Sequence, residues 1–159
     1  MIRKLLNRDI DRVAYIWLKT NLKAHYFISK QYWKSNYELV KEMMLQSEVY
    51  VFEADKMIQG FVGLNDEYIE GIFVSDEMQS CGIGKLLLDY IKDKKVSLRL
   101  NVYQKNARAI SFYQREGSLF NVKIWMKLLV KRVHHAMETK IEIGICEEKV
   151  NEKANETKK

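Results

Sequence analysis

The sequence predicts one α/β domain: a mixed, twisted sheet flanked by helices, followed by an atypical C-terminal segment. Three observations lead there. Over the first 117 residues, apolar positions switch repeatedly between helical spacing and the two-residue alternation of strands. Two glycines, Gly82 and Gly84, stand between a strand pattern and a helix pattern in a chain with seven glycines and no proline. A chain of 159 residues with 47% hydrophobic residues is long enough for one buried core.

The elements come in order along the chain. "MIRKLL" reads as a short strand, and "RDIDRVAYIWLKTN" as a helix with Ile10, Val13, Ile16 and Trp17 on one face. An irregular aromatic stretch, "KAHYFISKQYW", leads into one further amphipathic helix carrying Tyr32, Trp33, Leu39, Val40, Met43 and Met44, with Ser29 placed as its N-cap. Val49–Glu53 and Met57–Leu64 form a hairpin turning at Ala54-Asp55-Lys56, and Tyr68–Val74 comes after a second polar turn. Gly84 to Lys94 is helical, "SLRLNVY" is a strand, and "NARAISFYQREG" is a short helix capped by Asn106 and ended by Gly117. The polar end, "ANETKK", reads as disordered.

Composition narrows the function class. No run of 18 apolar residues spans a membrane and the N-terminus lacks a signal-peptide pattern, so a cytoplasmic protein is expected. Cys81 and Cys146 show neither metal nor disulfide spacing, so no metal is expected. The net charge of +6 favours anionic partners. Lys and Arg are scattered rather than striped and no nucleic-acid-binding motif stands out, so a small polyanionic ligand fits as well as nucleic acid and charge alone does not decide.

The glycines supply the ligand. A helix N-terminus carries free N–H groups and a partial positive charge, and a glycine approach lets them surround phosphate oxygens. Neither a P-loop nor a dinucleotide fingerprint fits here. Gln79-x-x-Gly82-x-Gly84 does fit another pattern, with Val74 five residues ahead in a strand-loop-helix layout. About twenty residues on, "LNVYQKNARAISFYQREG" places an asparagine before a helix that carries Phe-Tyr and ends in Gly. Together these segments resemble the GNAT superfamily of N-acetyltransferases, and "IWLKTN…HYF…YW" is similar to its small bacterial YiaC/YjaB-like members. The resemblance covers residues 1–117 and implies the GNAT-like acyl-CoA N-acyltransferase fold, with acetyl-CoA as cosubstrate.

The resemblance also implies site roles. Backbone N–H groups across Gln79, Ser80, Cys81, Gly82, Ile83, Gly84 and the adjoining Lys85 hold the pyrophosphate. The backbone of Phe73 and Val74 pairs with pantetheine like an added strand, and Asn106 hydrogen-bonds the pantetheine arm. Tyr113 is the general acid for the departing thiolate: a phenol of pKa about 10 facing a thiol of about 8.5 makes the transfer feasible. The amine acceptor, of pKa about 10.4 for a lysine, must first lose a proton. Glu70 is the first candidate base, directly or through water, and His25 the second. The acceptor is an amine of a protein lysine, a protein N-terminus or a small molecule, and the enzyme a monomer or homodimer. Two rival readings stand beside this one: a non-catalytic acyl-CoA-binding or interaction module that shares the Gln79–Gly84 loop but not the need for Tyr113, and a basic nucleic-acid binder that draws on "VKRVHH" in the tail.

The segment 118–159 departs from the pattern. "SLFNVKIWMKLLVKRVHHAMETKIEIGICEEKV" reads as a basic helix near Val122–Met137 and a short strand, "KIEIGI". Trp-Met-Lys is encoded TGG ATG AAR, and one base out of frame this reads Asp-Glu. Permitted codons nearby give Phe-Phe-Ile-Gln-Cys-Glu-Asn-Met ahead of it, similar to the family's missing strand and turn. The expectation is a frameshifted tail that replaces the last two strands of the sheet.

Overall fold

In the computed structural model, residues 1–117, 122–133 and 136–147 are described. Seven strands form one sheet in the order β1-β2-β3-β4-β5-β7-β6. They are β1 (Ile2–Lys4), β2 (Glu48–Ala54), β3 (Met57–Asn65), β4 (Tyr68–Val74), β5 (Ser97–Tyr103), β6 (Val122–Val133) and β7 (Ala136–Glu147). The helices are α1 (Ile10–Ala24), α2 (Lys30–Ser35), α3 (Tyr37–Gln46), α4 (Ile83–Lys94) and α5 (Ala107–Gly117). None of them is long and apolar enough to cross a membrane.

Strand alternation sorts the core into two layers. Val49, Val51 and Phe61 face α1 to α3 and pack with Val13, Ile16, Trp17, Trp33 and Met44. Their neighbours Tyr50 and Val62 point the other way, against Leu87, Leu88 and Ile91 of α4 and Tyr113 of α5. Asp55 and Lys56 both have positive φ (51° and 63°), the signature of the two-residue turn that matches strand twist, so the hairpin closes where the sequence places it.

Two features of β4 shape the region around its C-terminal end. Gly63 pairs with Gly71 while Leu64 pairs with Ile69, so Glu70 is an extra residue in β4 and forms a bulge. On its other edge β4 meets β5 in the sheet's one parallel contact, through a single pair, Tyr68 with Arg99, supported by Arg99 N–H donating to Glu67 O at 3.0 Å. Beyond that pair the two strands are not paired.

Three expectations are corrected. The second amphipathic helix is two, α2 and α3, broken at Asn36, whose backbone leaves regular helix (φ −92°, ψ −1°) and whose amide donates to Tyr32 O at 2.7 Å. Ser29 does cap α2, its Oγ accepting from Tyr32 N–H at 3.3 Å. The basic helix near Val122–Met137 is strand β6 and the start of β7, which runs on through "KIEIGI". Val122, Ile124, Met126, Leu128 and Val130 alternate with Lys123, Lys127 and Lys131, a two-residue period that suits a strand. The tail therefore does not leave β5 bare: β7 pairs with it along its whole length, from Ser97–Cys146 to Tyr103–Lys140. The disorder expected of "ANETKK" lies outside the described residues.

One part-buried charge cluster ties the N-terminus down. Arg3 on β1 donates to both oxygens of Asp9 (2.7 and 3.0 Å) and to Glu53 of β2 (2.9 Å), while Asp9 also accepts Leu6 N–H. The hydrogen bonds from Arg3 hold the Asp9 carboxyl below its usual range against the opposing effect of burial. A depressed carboxylate binds fewer protons folded than unfolded, so its stabilisation is present above pH 3.8 and fades as pH falls toward the folded value. D9N should lower unfolding stability by about 2–3 kcal/mol at pH 7. In urea titrations the gap to wild type should narrow in acid; a gap independent of pH would remove the charge argument.

Candidate active site

The segment between β4 and α4 is built around two left-handed residues. Ser75 N–H donates to Gln59 O at 2.8 Å, a short 3-10 turn covers Asp76–Met78, and the chain then passes through Ser80 (φ 63°) and Gly82 (φ 86°). Gly82 is the N-cap of α4, its carbonyl accepting from Leu86 N–H at 3.0 Å. That start leaves the N–H groups of Ile83, Gly84 and Lys85 without intrahelical acceptors, pointing out of the helix end. Left-handed residues beside a helix N-terminus make a concave nest of N–H groups suited to an anion.

The two glycines serve different needs. A Cβ at Gly82 would meet nothing within 4 Å, so its backbone angle alone calls for glycine. A Cβ at Gly84 would lie 3.3 Å from the Phe112 ring, so Gly84 lets α4 approach α5 closely. Side chains along the loop are otherwise engaged. Ile83 is buried in the core, Lys85 pairs with Asp89 at 2.9 Å, and Cys81 is exposed with Sγ 3.7 Å from Gln79 O. These residues offer backbone groups to a ligand.

Gln79 is a strut. Its amide donates to Val74 O (3.1 Å) and Asp76 Oδ1 (3.3 Å), and its oxygen accepts from Arg108 of α5 at 2.7 Å. Arg108 also reaches Ser80 Oγ at 3.3 Å. Arg108 therefore locks α5 to the nest and brings a permanent positive charge beside it. It lies two residues past Asn106 on the first turn of α5, a spacing that could have marked it in the sequence. The Gln79 contact also occupies the Val74 carbonyl, one of the backbone groups expected to face pantetheine.

The parting of β4 and β5 opens a wedge next to this nest. Phe73 sits on the α1 side, stacked on Phe61 at 4.9 Å, and its ring lies across Gly71, where any Cβ would collide with it. Glu70 is exposed on the bulge. Tyr113 is buried in the α4–α5 core, 4% exposed, with its ring edge-on to Phe112. Burial pushes its phenol well above the usual value, and the neighbouring phenol of Tyr68 adds to the rise. Tyr68 is itself raised, by burial first and then by Glu70, with the backbone of Asn101 and then Arg99 acting in the opposite sense. The Tyr68 phenol is thus within electrostatic reach of both Tyr113 and Glu70. Sequence reasoning missed it because it reads simply as the first residue of a strand after a polar turn.

Asn106 caps α5, its Oδ1 accepting from Ala109 N–H at 3.2 Å, while its Nδ2 lies 3.2 Å from His25 Nε2. His25 follows the last residue of α1, and its Nδ1 lies 2.9 Å from Asn21 Oδ1. The ring is enclosed by Phe27, Trp33 and Tyr103. The lone pair a base would need faces the Asn106 amide. Among the described residues no cluster of three or more His, Cys, Asp or Glu is arranged to hold a metal ion.

A family profile described as an acetyltransferase (GNAT) domain matches residues 46–117. The peptidyl-lysine N-acetyltransferase YiaC of Escherichia coli is 34% identical over 119 residues, 74% of this chain and 82% of that protein. The chain belongs to the GNAT acetyltransferase family. The acetyltransferase carries acetyl groups from acetyl-CoA to an amine. A second E. coli relative, the peptidyl-lysine N-acetyltransferase YjaB, is 25% identical over 118 residues, 73% of this chain and 80% of that protein. The solution structure of apo-form YjaB from E. coli superposes with a TM-score of 0.73 at 19% identity, covering 91% of this acetyltransferase and 95% of that chain. The structural likeness thus extends past Gly117, where the family profile stops.

Substitutions separate the two glycine roles. G82A should destabilise the acetyltransferase by about 1–2 kcal/mol through its left-handed backbone alone. G84A should press on the Phe112 ring, which must shift by a few tenths of an ångström, so its effect should differ in the F112L background, giving a non-additive double-mutant cycle by thermal unfolding. Additive losses would show that Gly84 does not serve the α4–α5 contact.

Proposed function

We propose that this acetyltransferase modifies lysine side chains of proteins by direct transfer, using the wedge between β4 and β5. The observation that carries this reading is the wedge's setting: a lone parallel pair at its closed end and the N–H nest of the β4–α4 segment beside it. The two relatives named as peptidyl-lysine N-acetyltransferases support the acceptor class.

The residues present fit acetyl-CoA. The nest from Ser80 to Lys85, with Arg108 beside it, suits a pyrophosphate. The free edge of β4 at Phe73 suits an amide-bearing arm, and Asn106 has a second amide hydrogen for it. Acetyl-CoA supplies the acyl thioester. The neutral amine nitrogen bonds the acyl carbon, the carbon–sulfur bond breaks, and the sulfur leaves with its electron pair. Glu70, exposed on the bulge, takes the amine's proton through water and returns it to solvent. Tyr113 keeps its proton at neutral pH because burial disfavours the phenolate. Against a thiol of pKa about 8.5, full transfer from so high a phenol is uphill. Tyr113 therefore works as a hydrogen-bond donor to the developing thiolate and keeps its own proton, and the departing thiolate takes its proton from solvent.

All of these residues precede Gly117, so we divide the chain there: a catalytic core over 1–117 and a substituted tail over 118–159 that arose by frameshift. Coding DNA in which no single-base change near codons 117 and 131 restores Phe-Phe-Ile-Gln-Cys would overturn that origin.

Y113F should reduce kcat about 100-fold or more while leaving the KM for acetyl-CoA within about threefold. E70Q should slow turnover of a lysine peptide near neutral pH and recover as pH approaches the amine pKa of about 10.4. Unchanged kcat in Y113F rules out the donor role. Preference for a free N-terminus or a polyamine over a lysine peptide rules out the acceptor.

A further inference from the structure

The hydrogen bonds around His25 form one directional chain across the domain. The Asn21 amide donates to Trp17 O at 2.9 Å, which leaves Asn21 Oδ1 facing His25 Nδ1 at 2.9 Å. An oxygen there accepts, so Nδ1 carries the hydrogen. At the far end Ala109 N–H donates to Asn106 Oδ1 at 3.2 Å, which leaves Asn106 Nδ2 facing His25 Nε2 at 3.2 Å. The amide donates, so Nε2 carries the lone pair. Both ring nitrogens are satisfied only by the neutral Nδ1–H tautomer.

We propose that His25 is a positioning residue for acetyl-CoA: it holds the Asn106 side chain in the one orientation that both caps α5 and keeps an amide hydrogen turned to the pantetheine arm. This rests on the role given to Asn106 above. The surroundings make the hold rigid. The ring stacks on Trp33 (5.4 Å, 26°) and meets Tyr103 and Phe27 edge-on at 4.9 and 5.7 Å, while Asn21 is buried. An imidazolium would set N–H against N–H. Asn106 could answer only by turning its oxygen to His25, which surrenders the Ala109 cap. Of the charged groups near the ring, Lys140 of β7, which lies over Tyr103 at 4.8 Å, opposes protonation too, and Lys105 of the β5–α5 turn lies over Phe27 at 5.4 Å. On the α1 side, Lys23 is paired with Asp76 at 3.8 Å. Burial, with Lys140 second, lowers the His25 pKa below its ordinary 6.5. The neutral, holding form is therefore complete above pH 6.5 and is lost as pH falls through the depressed value.

The test measures the acetyl-CoA Kd by calorimetry and kcat on a lysine peptide, from about pH 5 to 8, for wild type, H25L, H25Q and N106A in the full chain. Glutamine offers a donor and an acceptor at imidazole-like spacing but does not titrate. H25L should weaken acetyl-CoA about tenfold at the alkaline end, the loss of one well-placed hydrogen bond. H25Q should recover most of that, and its affinity should lack the extra acid-side weakening of wild type. A large kcat loss in H25Q at the alkaline end with Kd unchanged would make His25 the base and overturn the proposal. So would wild type and H25Q sharing one pH profile of Kd, which decides the matter even if H25L does not fold. N106A binding as wild type would sink the Asn106 reading itself. N106A weakened beside an unaffected H25L would sink this inference alone.

Discussion

The structure turns on one constraint: β4 and β5 run parallel, pair in register at a single position, and are unpaired beyond it. A parallel neighbour needs a crossover, and α4 supplies it. The crossover forces the N-terminus of α4 to the end of β4, which is where the strands part. An opening between strands and a cluster of free N–H groups therefore arise from the same connection. A wedge in a sheet exposes backbone groups that would otherwise pair, which is costly without a partner. The bulge at Glu70 turns the backbone within β4, and Gln79 covers the Val74 carbonyl at its end.

Once the wedge exists, both of its rims must be held in place. Arg108 binds the first turn of α5 to the nest, Gly84 lets α4 and α5 meet at Phe112, and Asn106 ties α5 through His25 to α1 on the opposite face of the sheet. The nest is thus braced from one layer and the start of α5 from the other. This explains why a polar chain runs through an aromatic cluster. Apolar packing alone would locate α1 and α5 but leave the Asn106 amide free to turn, whereas hydrogen bonds have direction.

The parts of this site carried by backbone special cases were legible in the sequence. Gly82 and Gly84 in a glycine-poor chain, Asn106 before an apolar helix and the hairpin at Asp55-Lys56 each announce a local conformation that few residues adopt. The parts that depend on tertiary proximity were not. Tyr68 gains significance only because the strand beside it diverges, and Arg108 only because α5 swings over the nest. His25 reads as a titratable group in an aromatic loop, and its partners, Asn21 and Asn106, are visible only once α1 and α5 are placed together. The break at Asn36 is hidden in the sequence because α2 and α3 share a continuous apolar pattern.

The tail shows the limit of periodicity in a different way. In "VKIWMKLLVKRV" the adjacent Leu128 and Leu129, and Trp125 beside Ile124 and Met126, blur a two-residue alternation into something a helix could also bury. What decides between them is the edge of β5. A strand flanked by β4 only at one residue and by nothing on its other side would leave a row of N–H and C=O groups unpaired. Any adjoining segment of strand-compatible pattern gains seven paired residues by lying against it, as β7 does. Sheet completion therefore places weaker demands on the sequence of the tail than the nest and the wedge place on theirs. That asymmetry accounts for a fold likeness covering 91% of the chain beside a family profile that ends at Gly117.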